Sequence, residues 1–260
     1  MQIGKFHSHG HITFPASAET LRWVDAVRPQ ALAAMDDPAL QHWWRCGHTW
    51  FVGVDALAND AQGRVEGGPA LAGAAVDFTG AQFNHAHPAS HRGQISVCLP
   101  GYPQRGPEES EAAHAFRARR DAAHVDGLHG EGEPKRRFMR ERHDFILGLA
   151  LEDGDAGASP LSVWEGSHAI MQAALREAYR GLPPQAWPDR DVTEIYTAAR
   201  AQVFESCRRV ELPLRKGEAV LVHRFTLHGV AAWRASPLPR RAIIYFRPCI
   251  WDAERWLAEE

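Results

Sequence analysis

The chain has 260 residues, 45% hydrophobic and 23% charged, with a formal net charge of -3 at pH 7. That is an ordinary globular composition, long enough for one sizeable core, and its balance excludes a binder of nucleic acid built on basic charge. No run is apolar for long enough to span a bilayer, the opening MQIGKFHSHGHITFP has no apolar signal core, and Cys46, Cys98, Cys207 and Cys249 form no CxxC; a cytoplasmic protein with reduced thiols and no membrane partner is expected.

Residues 10–14, GHITF, are short and β-rich. A helix is expected from Ser17, an N-cap with Glu19 in its first turn, and Pro29 should bend or end it. HTWFVGV and ALAGAAVDF then read as strands separated by a turn-rich segment. In GQISVCL, Ile95, Val97 and Leu99 alternate with Gln94, Ser96 and Cys98, the pattern of a strand with one polar face. Residues 101–120 read as loop and helix. The charged run Lys135 to Arg142 reads as a solvated face or a lid.

The cleanest strand is FILGLAL, apolar or small on both faces and therefore central. LSVWEGSH follows a loop. Two helices come next, one from Ser167 to about Gly181 as C-cap, the other from Asp191 with Glu194 as a capping box. RRVELPL, EAVLVHRF and RRAIIYFRP close the chain as strands. Strands spread from end to end, with helices interposed, point to a single mainly-β domain over residues 1–260, a sandwich or barrel with decorating helices.

His124 and Asp126, inside AAHVDG, are one residue apart. In extended backbone such side chains point the same way, so an imidazole nitrogen and a carboxylate oxygen can reach one metal ion. His-x-Asp arises about once by chance in a chain this rich in His and Asp, so its weight comes from its surroundings. His228, in TLHGV, offers a third ligand. Two histidines and a carboxylate that leave coordination positions open form the facial triad of non-haem Fe(II) oxygenases. His223 lies five residues before His228, among Ala219, Leu221 and Phe225, and reads as a packed core histidine. Of the other histidines, His7, His9 and His11 lack a scaffold, and His85 and His87 read as loop residues. Trp164 and Trp233 read as packing.

These pieces lie in a fixed order: His-x-Asp, a strand, Pro160-Leu161-Ser162-Val163-Trp164-Glu165-Gly166-Ser167-His168, the turn Lys216-Gly217-Glu218, His228-Gly229, and an arginine after Pro239. The order resembles the phytanoyl-CoA dioxygenase family of Fe(II)/2-oxoglutarate oxygenases, over about residues 10–250. Glu165 stands where the family usually has proline. The resemblance implies a double-stranded β-helix, a cupin-like jelly roll with the metal at its open end. It implies Fe(II) on His124, Asp126 and His228, with 2-oxoglutarate and O2 as co-substrates. The reaction implied is hydroxylation of a small molecule with release of succinate and CO2.

The family's 2-oxoglutarate arginine is the first residue after the proline, which is Arg240. Arg240 and Arg241 point to opposite faces of their strand, and both faces are apolar, so side-chain parity leaves the two open. Gln94 and Ser96 are candidates for hydrogen bonds to 2-oxoglutarate or substrate. Asp126 sits where related halogenases carry a small residue, which favours hydroxylation. A cupin-like metal-dependent hydrolase or isomerase and a non-catalytic ligand-binding barrel are the alternatives. The Pro-Arg-Arg sequence argues against the first, and a complete set of dispersed ligands against the second.

Overall fold

The computed structural model describes residues 2–85, 87–107, 109–234 and 236–258. Two antiparallel sheets face each other. The larger has seven strands. Its four inner strands are β4 (Gln94–Cys98), β7 (Phe145–Ala150), β10 (Ala219–His223) and β12 (Arg241–Phe246). They lie in the order β10-β7-β12-β4, and β1 (His11–Phe14) extends one edge while β3 (Trp50–Gly53) and β2 (Trp44–Arg45) extend the other. The smaller sheet is β11 (His228–Val230), β8 (Leu161–Trp164) and β9 (Arg209–Leu212). An isolated bridge from His124 to His228 adds one residue to its open edge. From β4 onward the chain passes back and forth between the two sheets. That path is a jelly roll, the architecture expected above. β7 is central, as its apolar faces require.

Alternation along each strand sorts side chains into two layers. Outward, Ile95, Val97, Leu147, Leu149, Leu221, Ala242, Ile244 and Phe246 form one core with Phe6, Trp23 and Phe83. Those three come from α1 (Gln2–His9), α2 (Ala18–Ala33) and α3 (Ala74–Phe83). Inward, Ile146, Ala150, Val220, Val222, Ile243 and Tyr245 meet Leu161 and Val163 of the smaller sheet. A third cluster joins α5 (Ser167–Tyr179), α6 (Thr193–Ser206) and α7 (Ala253–Leu257) around Trp164, Phe225 and Trp256. Each fully buried Phe or Leu here stabilises the fold by about 1.5–3 kcal/mol. The short α4 (Glu111–Arg119) carries the chain toward His124. No helix of the described residues is long and apolar enough to cross a membrane.

Several local expectations are corrected. ALAGAAVDF forms a helix, because its alanines are strong helix formers and Gly73 opens it with φ 115°. The N-terminal segment is also helical, anchored by the fully buried Phe6. α2 runs through Pro29 to Ala33, and Ser17 caps it in a box with Thr20. The N-cap of α6 is Val192, without a side-chain cap bond; Asp191 lies one residue earlier and accepts from the Thr193 amide at 2.9 Å, so the expected capping box with Glu194 is not formed. The charged segment is a hairpin of β5 (Leu128–Glu131) and β6 (Arg136–Met139). It is tied down by the Arg140–Glu131 pair and by backbone bonding between Arg137 and Val192.

Candidate metal centre and its cavity

His124 and His228 sit side by side because their backbones exchange two hydrogen bonds. The His124 amide donates to the His228 carbonyl at 2.9 Å and the His228 amide to the His124 carbonyl at 3.0 Å. This close pairing needs Gly229, where an added Cβ would lie 2.2 Å from the Asp121 carbonyl oxygen. Asp126 follows just before a turn at Gly127, which has φ 83° and has the Glu141 carbonyl where a Cβ would stand. The His-x-Asp segment is thus a single bridged residue entering a turn, and only part of it is extended.

The three side chains converge, with one ligand atom of each lying within 4.8 Å of the others. His124 Nε2 is 3.1 Å and His228 Nε2 3.6 Å from Asp126 Oδ1. Each Nδ1 is set by a backbone carbonyl, Ala122 at 3.0 Å for His124 and Thr226 at 2.9 Å for His228. A carbonyl only accepts, so Nδ1 carries the proton and Nε2 of the neutral ring presents a lone pair. With both rings neutral, two lone pairs and a carboxylate oxygen converge as a metal ion would need them; without an ion, burial lowers the His124 imidazole but its hydrogen bond to Asp126 outweighs this and raises it, so a proton on Nε2 takes the place of the cation. The donor set and its supporting carbonyls fit a divalent transition-metal ion with open positions. Burial alone would raise the Asp126 carboxyl, but Arg247 beside it, with the imidazoles, holds it well below the usual carboxylate range. Arg247 Nη1 stands 3.4 Å from Asp126 Oδ2, the oxygen turned away from the imidazoles.

His223 is elsewhere. It ends β10 on the outward layer, buried, with its ring 5.6 Å from Phe6 and 4.9 Å from His168. His223 and His228 lie in different sheets, so side-chain parity along one strand is not what separates them; a turn between β10 and β11 does. The His7, His9 and His11 cluster does not assemble into a metal-binding group among the described residues, and His11 pairs with Glu165 at 3.3 Å.

A cavity of about 180 Å³ opens beside the triad, lined in part by Trp50, Gln94, Ser96, Tyr102, Ile146 and Tyr245. Neither Arg240 nor Arg241 is itself among its lining residues. Arg240 bonds Glu152 at 2.7 Å, on a surface shared with Arg28. Arg241 lies on the inward layer, 4% exposed, opposite Cys98 in register. Its Nη1 donates to Ser96 Oγ at 3.1 Å and its Nη2 to Tyr245 Oη at 2.7 Å, and both acceptors line the cavity. Its Nε has no partner. A guanidinium stays charged in a protein, yet among the described residues no carboxylate pairs with this one. Ser96 Oγ also accepts from Trp50 Nε1 at 3.1 Å. Ser96 and Tyr245 each keep a hydroxyl proton to donate.

Sequence reasoning passed over Tyr245 and Arg247. Arg241, Ile243, Tyr245 and Arg247 share parity along β12 and its extension, so the period-two rule that marks a strand's inward face picks out all four.

No family model matches the chain, and no curated protein matches it either. Among solved structures it is similar to the non-heme alpha-ketoglutarate-dependent carbocyclase SnoK from nogalamycin biosynthesis, at 15% identity and TM-score 0.49 over 99% of this chain and 90% of that one. It is similar to EctD from S. alaskensis with 2-oxoglutarate and 5-hydroxyectoine, at 16% identity and TM-score 0.47 over 95% and 74%. It is also similar to the epimerase SnoN in complex with Fe3+, alpha ketoglutarate and nogalamycin RO, at 14% identity and TM-score 0.45 over 94% and 82%.

Proposed function

We propose that the chain is an Fe(II)- and 2-oxoglutarate-dependent oxygenase that hydroxylates a small molecule. One observation carries this reading. Three convergent metal-ligating groups share a cavity with the hydroxyls that hold a buried guanidinium, one with no carboxylate partner among the described residues. A dicarboxylate that chelates a metal at one end and meets an arginine at the other supplies what both lack. Bound there, Fe(II) with 2-oxoglutarate supplies O2 activation: one oxygen atom enters succinate, formed with loss of CO2, and the other converts a substrate C–H to C–OH.

The residues divide the work. His124, Asp126 and His228 hold the ion, and the Ala122 and Thr226 carbonyls keep both rings in the ligating tautomer. Arg241 takes the far carboxylate, a fork geometry suited to two parallel hydrogen bonds. This assignment replaces Arg240, which is engaged by Glu152. Ser96 acts on the cofactor chiefly through Arg241, held between that guanidinium and the Trp50 indole, and has a hydroxyl proton left for a ligand oxygen. Gln94 reaches the cavity from β4 and is assigned to the substrate side. Ile146, Leu161 and Val222 line the pocket with apolar surface and keep water from competing. The Asp126 carboxylate fills the coordination position that a halide would need, which favours hydroxylation.

Incubation with Fe(II), ascorbate and 2-oxoglutarate tests the proposal. Slow succinate release without any other substrate is expected. Neither 2-oxoglutarate binding nor turnover across a broad substrate panel would shift the reading to a hydrolase or a binding barrel.

A further inference from the structure

The cavity at the triad shares a wall with a second chamber. Val54, Gln94, Tyr245 and Arg247 line both. The second chamber is the larger, about 430 Å³, against about 180 Å³ for the first. The oxygenase chemistry proposed for the triad leaves it unused.

Its charged groups are unevenly matched. Arg247 stands in the dividing wall, and its one acidic partner among the described residues is Asp126 Oδ2, at 3.4 Å. That carboxylate also faces the two imidazoles. Once a cation occupies the triad, the Asp126 charge is shared with the ion, and Arg247 is left with an uncompensated face toward the second chamber. Arg92, exposed at the rim, bonds neutral backbone carbonyls, Leu57 at 3.0 Å and Ala56 at 3.4 Å. The histidines are already matched or neutral. His85 pairs with Asp144 at 2.9 Å and His143 with Glu141 at 3.0 Å. His91 accepts the Arg247 amide at 2.9 Å. Of the carboxylates that line the chamber, Glu141 is engaged by His143 and by His129, which leaves Asp55 against two guanidiniums. Trp251, 86% exposed, also lines it and offers an uncovered indole.

We propose that this chamber receives the primary substrate and that the substrate carries an oxyanion, a carboxylate or a phosphate, held by Arg247 with Arg92 at the rim. The proposal rests on the oxygenase reading of the triad. With its anionic end on Arg247, the rest of the molecule extends past Gln94 and Tyr245 into the first cavity and brings a C–H to the metal side. Arg241 and Arg247, at opposite ends of the inward row of β12, then serve two different anions.

The test uses the Mn(II)-loaded protein saturated with 2-oxoglutarate, with O2 excluded. Ligand-observed NMR is run on a panel of small carboxylates and monophosphates, each paired with its neutral amide or alcohol. Acids are expected to bind, with their neutral partners at least about tenfold weaker. Arg247→Met should weaken the acids by roughly 10- to 100-fold, the range for losing one charge-assisted contact. Arg247→Lys should restore part of that, and in Arg92→Met, whose side chain touches no triad residue, 2-oxoglutarate affinity should stay within about twofold, well short of what losing such a contact costs. Arg92→Met, at the exposed rim, gives a second reading if Arg247→Met fails to fold, with a loss of about 3- to 10-fold, as befits a more solvated charge. The proposal is overturned if neutral partners bind as well as the acids, if no acid binds, or if the acids bind the arginine variants unchanged. If 2-oxoglutarate itself fails to bind the wild-type protein, the oxygenase reading falls and takes this one with it. If 2-oxoglutarate binds and no acid does, this proposal falls alone.

Discussion

Replacing Arg241 with methionine separates the two arginines that the sequence left open. Arg241 is almost fully buried and is held by Ser96 and Tyr245, both neutral. Against a bound carboxylate it would make a desolvated, bidentate contact, and truncating one side of such a contact costs about 3–5 kcal/mol. That corresponds to at least a 100-fold weaker 2-oxoglutarate Kd. Thermal denaturation of the Mn(II)-loaded protein, with and without 2-oxoglutarate, reads this out. At one hundred times the wild-type Kd the ligand should stabilise the wild type by about 2.7 kcal/mol. For a chain of this length that raises Tm by roughly 5–10 °C. At the same concentration Arg241→Met should gain about 0.4 kcal/mol, near 1 °C. The ligand-free variant should be about as stable as wild type, because losing a buried cation offsets the loss of two hydrogen bonds. Arg240→Met should keep the full ligand-induced shift and lose about 1 kcal/mol, since Glu152 in that part-buried pair keeps Arg28 as a partner. If Arg240→Met abolishes the shift while Arg241→Met keeps it, the assignment is wrong.

Other consequences follow from single contacts. His228→Ala should reduce Fe(II) affinity by more than about tenfold, as ligand loss does. His223→Ala should keep iron binding and lose about 1–3 kcal/mol of stability, a core effect; equilibrium dialysis of the two variants decides between them. Gly229→Ala places a Cβ 2.2 Å from the Asp121 carbonyl oxygen. It should separate the two histidines, costing about 2–3 kcal/mol in urea unfolding together with the metal site; a variant as stable and as metal-competent as wild type refutes the close-approach argument. His143 is raised to about 9: burial lowers it, but hydrogen bonding to Cys249 and the Glu141 carboxylate outweigh this. Its contribution to stability is therefore fully present below about pH 6.5 and lost as pH rises through 9. Glu141 is half-exposed, so the loss should be about 1–2 kcal/mol. His143→Gln should flatten that part of the stability profile.

Much of the sheet was legible because alternation is a local signal. Gln94–Cys98, Phe145–Ala150, Ala219–His223 and Arg241–Phe246 all fall inside segments read as strands, whereas Leu161–Trp164 forms a strand that was not. The failures have physical causes. Small apolar residues such as those of Ala74–Phe83 satisfy either period, and propensity then decides for helix. The N-terminal helix depends on Phe6 reaching a core formed by distant strands. The His-x-Asp and His-Gly pairs were legible as chemistry. That they face each other through a two-residue bridge was not, since pairing across some hundred residues leaves no local trace. Parity could not choose between Arg240 and Arg241 because both rows of the strand are apolar: one faces the helices and the other the cavity. The choice depends on where acidic partners lie, and Glu152 claims Arg240 from another strand's end.

The most direct test of the central claim is an anaerobic titration of the wild-type protein with Fe(II) and then 2-oxoglutarate, followed by visible absorption. A metal chelated by a 2-oxo acid gives a charge-transfer band that neither component gives alone. The account predicts such a band, saturating at one equivalent of iron, absent from Asp126→Ala, and requiring far more 2-oxoglutarate in Arg241→Met. Tight iron binding that persists in Asp126→Ala, or a wild-type protein that binds iron and never develops the band, would contradict it.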